Sequence, residues 1–249
     1  MVINTRIGNI LDIEADAIVV NLFEGISEPG GATAAVDEAI NGGIRALILG
    51  GDFKGKLNQT TVLYPGNGTN APRVVLVGLG EQETLSLERI RQAAATAAKK
   101  ARELGAKRLC TILHGTGAGG LTIDESAQAI VEGSILGTYT FSTYKTDSTE
   151  EQSLDELILV EFDSSKREGL EKGAETGKII AEGTCLARDL ATTPGNDLTP
   201  TALADRTEQM ASETGLRCEI FDEGRISEEG MRTIEAVAQG SAQPPRFIR

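Results

Sequence analysis

Tryptophan is absent from this 249-residue chain, and aromatic residues make up only 4% of it. A core must therefore be assembled from Ala, Val, Ile and Leu. Histidine occurs once, at His114, and cysteine three times, at Cys110, Cys185 and Cys218, with no CxxC pair among them. That scarcity argues against a zinc knuckle and a dithiol redox centre, and it fits a reducing, cytoplasmic setting. Cys110 and His114 stand four residues apart on one face of a strand end, but two ligands alone do not close a zinc site. A structural hydrogen bond is the expectation for His114. No apolar run reaches the ~20 residues that a bilayer span requires. The opening MVINTRIGNI has no basic stretch followed by an apolar block, so no leader is expected. Positive charge is also short: 24 Lys and Arg face 37 Asp and Glu, for a net charge of −13. Such a surface repels phosphate backbones and anionic lipid, which argues against nucleic-acid and membrane partners.

What is present is a globular composition, 40% hydrophobic and 24% charged, with 29 glycines for turns and close contacts. Short apolar runs at Asp16–Val20, Thr60–Leu63, Arg73–Leu79, Arg108–Leu113 and Leu157–Phe162 read as strands. Between them lie helical patterns. One begins near Thr33 and runs to Leu49 before Gly50-Gly51 breaks it. Another, Ser86–Leu104, places apolar residues at 90, 93, 94, 97, 98, 101 and 104, with Ser86 as cap and Gly105 as stop. A third is expected to open at Asp124 and run to about Leu136. Alternation of strand and helix predicts an α/β sandwich around a mixed, mostly parallel sheet. Ser142–Ser153 is polar and reads as an exposed loop.

From Lys166 to about Leu190 a long helix is expected, with Gly169, Gly173 and Gly177 at a spacing of four. Each interior glycine costs about 1 kcal/mol in a helix, so that bare face should be offset by close packing on a neighbour. Thr192–Asp197 turns the chain, Thr199 caps the next helix, and Pro200 sits at its first position. Leu216–Phe221 reads as a strand, Ser227 as the cap of a short helix, and Gln243–Arg249 as the start of another strand.

Two glycine-bearing stretches bear on ligand binding. Gly115-Thr116-Gly117-Ala118-Gly119-Gly120 formally fits GxGxxG through Gly115, Gly117 and Gly120. A dinucleotide site wants a helix opening on the third glycine and an acidic residue ~20 positions on. Here Leu121-Thr122-Ile123 intervenes, so a flexible turn is the plainer reading and a phosphate loop at Gly115, Gly117, Gly119 and Gly120 the sharper one. The second stretch, Gly8-Asn9-Ile10 with Asp16–Val19, Asn21, Gly30-Gly31 and Val36-Asp37, resembles an ADP-ribose-binding macro domain. Leu22-Phe23-Glu24 departs from the Asn- and Gly-rich loops of such binders, and Glu24 and Glu28 would repel a pyrophosphate.

Ala187-Arg188-Asp189-Leu190, then Thr193-Pro194-Gly195-Asn196-Asp197-Leu198-Thr199-Pro200, Gly215-Leu216, Gly230-Met231, Ala236–Ser241 and Pro244-Pro245-Arg246 follow one another in an order that resembles the leucyl aminopeptidase (cytosol aminopeptidase) family. Asp16–Val20, Gly51–Lys56 and Val74–Gly80 resemble its N-terminal domain. The resemblance implies a macro-like three-layer N-terminal domain over residues 1–163, a connecting helix over 164–191, and the truncated start of the catalytic α/β unit over 192–249. It also implies a parent activity: release of N-terminal amino acids from peptides by two divalent metals, manganese or zinc, in a hexamer. Metal-ligand motifs of the types KGxTFDSGG and NTDAEGR have no counterpart in the chain. The resemblance therefore assigns no catalytic or metal residue here, and this portion alone is expected to be inactive and to carry no cofactor. The alternative reading is a macro-type nucleotide-binding or protein-interaction module.

Overall fold

The computed structural model describes residues 1–146 and 152–249. The chain divides into two compact units, Met1–Cys185 and Leu186–Arg249. In the first, strands β1 (Val2–Ile7), β2 (Ala17–Leu22), β3 (Thr60–Leu63), β4 (Val74–Gly78), β5 (Arg108–Ile112) and β6 (Glu156–Glu161) form a six-stranded sheet in the order β1-β6-β5-β2-β4-β3. All neighbours pair in parallel except β3, which runs antiparallel to β4 at one edge. The mixed, mostly parallel sheet expected from the alternating pattern is the sheet observed.

Covering both faces of the sheet explains the unbroken apolar runs, because a strand between two helical layers has no polar side. β4 is buried at every position. Alternate residues feed opposite cores. Ala17 and Val19 of β2 join Val75 and Val77 of β4 under helices α3 (Leu87–Glu103), α4 (Ile123–Thr138) and α5 (Arg167–Thr192). Ile18, Val20, Val74 and Leu76 face α1 (Gly31–Ala39) and α2 (Gly43–Gly50).

The shortage of aromatics is met by bringing backbones close together. α3 buries Ala93, Ala94, Ala97, Ala98 and Ala101. Against it α4 sets Gly133 and Gly137, where an added Cβ would fall 2.2 Å from Arg91 O and 2.6 Å from Ala95 Cβ. The expected bare face of the long helix meets the other side of α4: a Cβ at Gly173 would lie 2.3 Å from Asp124 O, and one at Gly177 2.6 Å from Gln128 O. Close packing over this area offsets the conformational cost of the glycines.

Several local expectations are corrected. The pattern from Thr33 to Leu49 is two helices, because Asn41 (φ 56) and Gly42 (φ 79) adopt left-handed backbone between them. Gly42 offers no side chain to α2, and Asp37 of α1 supplies the acceptor instead, taking the Arg45 N–H at 3.0 Å. α4 is capped by Thr122, not Asp124, through a capping box with Glu125. β1 has no counterpart among the expected strands. Of the polar loop Ser142–Ser153, residues 147–151 lie outside the described residues, and 143–146, 152 and 153 are exposed.

In the second unit Thr199 accepts the Ala202 N–H and Pro200 occupies the first helical position of α6 (Pro200–Thr214), as the sequence implies. Only Ile220–Phe221 of the expected strand is strand, β7; it is followed by α7 (Glu223–Glu228), α8 (Arg232–Ala238) and β8 (Phe247–Ile248). The cap of α7 is Asp222, and Ser227 lies inside the helix. β7 and β8 pair antiparallel, with Phe221 and Phe247 5.5 Å apart between ring centroids.

Candidate functional site

After β2 the chain moves toward β4, whereas after β5 it moves toward β6. Connections leaving in opposite directions open a crevice beyond the carboxyl ends of those two strands, the usual position of ligands in open α/β sheets. A cavity of about 770 Å³ occupies that position. It is lined by the residues that follow β1 (Gly8, Asn9), the end of β2 (Asn21, Leu22), the start of α1 (Gly30–Thr33), the 115–117 loop after β5, and Glu161, Phe162 and Lys166 at and beyond the end of β6.

The four glycines of the candidate phosphate loop divide. Gly115 and Gly117 line the cavity. Gly119 packs against Leu85, whose Cδ2 would stand 2.4 Å from an added Cβ, and Gly120 (φ +71) ends a single 3-10 turn. A dinucleotide-type pyrophosphate would need the N-terminus of α4. That terminus is filled from within by Thr122, Asp124 and Glu125, with Thr122 Oγ1 2.7 Å from Asp124 Oδ1 and 2.8 Å from Glu125 Oε2. α1 differs: its N-cap is Gly30, no side chain caps it, and no acidic residue stands in its first turn.

His114 is fully buried behind the cavity. Asn21 Nδ2 donates to its Nδ1 at 2.8 Å, which leaves the ring proton on Nε2, 3.4 Å from Thr111 Oγ1. Ser126 Oγ donates to the His114 carbonyl at 2.7 Å. Desolvation lowers the imidazole pKa from its usual value to about 4, so the ring is neutral near pH 7. Cys110, buried in the same layer, has its thiol pushed up to about 12 by burial. The thiol of Cys110 therefore stays protonated near neutral pH and is a poor nucleophile.

Charge at the cavity is largely compensated. Glu28 is paired with Arg45 at 3.0 Å, and Arg45 also reaches the buried Asp37 at 3.4 Å. Lys166 Nζ is 3.6 Å from Glu161 Oε1. Glu24, expected to face a bound pyrophosphate, is not among the lining residues. Phe162 and Lys166 had no motif to mark them. The expected strand Leu157–Phe162 ends one residue early, at Glu161, and Phe162 emerges at the rim, 80% exposed. Among the described residues no group of three or more His, Cys, Asp or Glu side chains is placed to hold a metal ion. None of the described helices is long and apolar enough to cross a membrane.

Residues 19–148 match the model of the N-terminal domain of the cytosol aminopeptidase family, and residues 185–249 match that of its catalytic domain. A probable cytosol aminopeptidase of Roseiflexus castenholzii is 35% identical over 250 residues, covering all of this chain and 48% of that protein. The cytosol aminopeptidase of Pseudomonas aeruginosa is 34% identical over 220 residues, 88% of this chain and 44% of the relative. Among solved structures, the bottromycin maturation enzyme BotP in complex with Mn aligns with a TM-score of 0.73 at 29% identity, over 94% of this chain and 44% of that one. A tomato leucine aminopeptidase variant shares the fold, with a TM-score of 0.81 at 24% identity over the whole of this chain and half of its own. The chain spans about half the length of the curated relatives it matches.

Proposed function

This chain belongs to the cytosol aminopeptidase family, and from that premise we propose that it supplies the N-terminal, non-catalytic portion of a leucyl aminopeptidase. The observation that carries the reading is order: a match to the family's N-terminal domain is followed, in one chain, by a match to its catalytic domain over residues 185–249. In this reading residues 1–163 form the N-terminal domain, 164–191 connect, and 192–249 open the catalytic unit. The activity of the whole is release of N-terminal amino acids from peptides in the cytoplasm, by a hexamer holding two divalent metals.

A two-metal peptidase needs several carboxylates converging on a pair of ions, which activate a water and polarise the scissile carbonyl. The described residues do not fit such a centre, because no three metal-binding side chains converge. Their part is architectural: a rigid α/β layer and a helix that leads from it into the catalytic unit. The manganese in the BotP complex supports that metal for the parent, with zinc as the other candidate.

Incubation of the purified chain with leucine amide and Mn²⁺ tests the assignment. The expected result is no turnover by the chain alone, and Mn²⁺-dependent turnover once it is fused to the remaining half of the Roseiflexus castenholzii relative. Hydrolysis by the unfused chain would overturn the non-catalytic reading; a folded fusion without activity would overturn the aminopeptidase reading.

A further inference from the structure

The outer edge of β3 takes no part in the proposed function and, among the described residues, carries no further strand. We propose that it is a self-association surface: two copies of this chain pair β3 with β3, antiparallel, about a two-fold axis at Val62, and so join their sheets into one.

The first observation is the open ladder. β3 ends the strand order, with β4 as its neighbour. Gln59 O accepts the Gly78 N–H at 2.8 Å, in the register that sets Thr60 opposite Val77. Residues of an antiparallel strand alternate between bonding to the partner strand and facing away from it. Gln59, Thr61 and Leu63 therefore face β4, and the N–H and C=O groups of Thr60, Val62 and Tyr64 point outward. Among the described residues no loop backbone group bonds to these three. Thr60–Leu63 are only half-buried, and Tyr64 at the end of the row is 71% exposed.

The second is charge. Residues 57–72 hold no Asp, Glu, Lys or Arg, the longest such stretch of the chain. Two copies that each carry a net charge of −13 repel one another over most of their surface, and contact is least opposed where both faces are neutral. Edge strands that stay single are commonly blunted by charged residues. β1, at the opposite edge of the sheet, has the exposed Arg6; β3 has no such guard.

The third is self-complementarity, which selects a second copy over an unrelated strand. With the axis at Val62, Val62 lies opposite the partner's Val62, Thr60 opposite the partner's Tyr64, and Thr61 opposite the partner's Leu63. Outward backbone groups then meet outward backbone groups, and the members of each pair share a sheet face. β-branched and aromatic cross-strand pairs of this kind stabilise antiparallel ladders. Pro65, which has no N–H, ends the pairing directly after Tyr64. The contact is isologous, so it closes at a dimer.

Sedimentation equilibrium and residue-resolved amide hydrogen exchange on the 249-residue chain test the proposal. The dimer fraction is expected to rise with concentration. The amides of Thr60, Val62 and Tyr64 should exchange more slowly in concentrated than in dilute samples, while those of Thr61 and Leu63 stay unchanged. Val62→Lys and Val62→Glu each place like charges opposite one another and should be monomeric. An equal mixture of the two should form a heterodimer, because lysine then faces glutamate. Circular dichroism checks that both variants keep the fold; where one does not, the exchange rates of the natural chain decide alone. A natural chain that is monomeric at every concentration would overturn the proposal. So would a dimer that survives Val62→Lys, a mixture of folded variants that fails to pair, or outward amides whose exchange is independent of concentration.

Discussion

Asn21, near the end of β2, and His114, just past the end of β5, are joined by a hydrogen bond of 2.8 Å from the amide Nδ2 to the ring Nδ1. The bond ties together two strand ends that the topology would otherwise let splay, and so fixes the wall of the cavity. It also fixes the protonation state. A charged ring would turn Nδ1 into a donor facing the Asn21 amide, itself a donor, in a site without water contact.

The sign of the resulting pH dependence follows. The folded-state pKa of His114 is lowered to about 4, while the unfolded ring titrates near 6.5. As pH falls below the unfolded value, the unfolded state takes up a proton that the folded state refuses, so stability declines from about pH 6.5 and the decline levels off near pH 4. The full difference is on the order of 3 kcal/mol. Urea titrations at pH 7 and pH 4.5 should show the loss in the natural chain and a much smaller one in His114→Gln. Equal losses in both would place the acid sensitivity elsewhere.

The glycines of α5 predict opposite effects of one substitution. Gly173→Ala would drive a Cβ to 2.3 Å from Asp124 O and 2.9 Å from Ala127 Cβ, so α4 and α5 must separate. Overpacking of this kind costs about 1–3 kcal/mol, more than the roughly 1 kcal/mol gained in helix propensity. Gly183→Ala on the same helix meets nothing within 4 Å. It should raise stability by about 0.5–1 kcal/mol. Denaturant midpoints of the two variants should therefore move in opposite directions.

At the start of α4, the identity of the cap is itself testable. Thr122 receives the Glu125 N–H and Glu125 returns the bond to the Thr122 N–H. Thr122→Ala should cost about 1 kcal/mol. Asp124 lies one residue inside the first turn, and its carboxyl is held below the usual range chiefly by the Thr122 hydroxyl. Its side chain is 39% exposed, and its partner Lys172 is a surface residue, so Asp124→Ala should cost only a few tenths of a kcal/mol. Equal costs would mean that the reciprocal bond is not what closes the helix.

Much of the first unit was legible because periodicity and burial coincide. The Ala stripe of α3 and the all-apolar β4 have one reading each, since a helix face and a doubly covered strand leave distinct patterns. β1 was not legible. Asn4, Thr5 and Arg6 interrupt its apolar residues, and an edge strand in a parallel sheet needs only partial burial, so its pairing with β6 comes from tertiary context. The division of α1 from α2 was available in Asn41-Gly42-Gly43, a strong turn signal, but the apolar pattern on either side outweighed it. The cavity lay beyond sequence reasoning in a different sense. Asn21 lies in β2, Gly31 at the start of α1, Gly117 after β5 and Phe162 after β6, and only the strand order brings them to one crevice. The half of the glycine loop that does not line it, Gly119 and Gly120, is explained by Leu85 and by a left-handed turn.

Metal binding gives the last prediction. A site that grips a divalent ion tightly needs three or more converging ligands, and among the described residues His, Cys, Asp and Glu do not converge in threes. Carboxylates that lie near one another at and after the end of β6 are already committed: Glu161 accepts the Asp163 N–H and pairs with Lys166, and Asp163 receives the Ser165 N–H and hydroxyl. An ion present at 100 times its Kd would stabilise the fold by about 2.7 kcal/mol, and a chelator would remove that increment. The melting temperature of this chain should therefore be the same in Mn²⁺, in Zn²⁺ and in EDTA, and calorimetry should show no stoichiometric uptake. In a fusion that restores activity, by contrast, EDTA should lower both turnover and melting temperature, because there the ion is held by residues the fusion partner contributes. A chelator-sensitive melting temperature in the unfused chain would mean that its own side chains bind the metal after all.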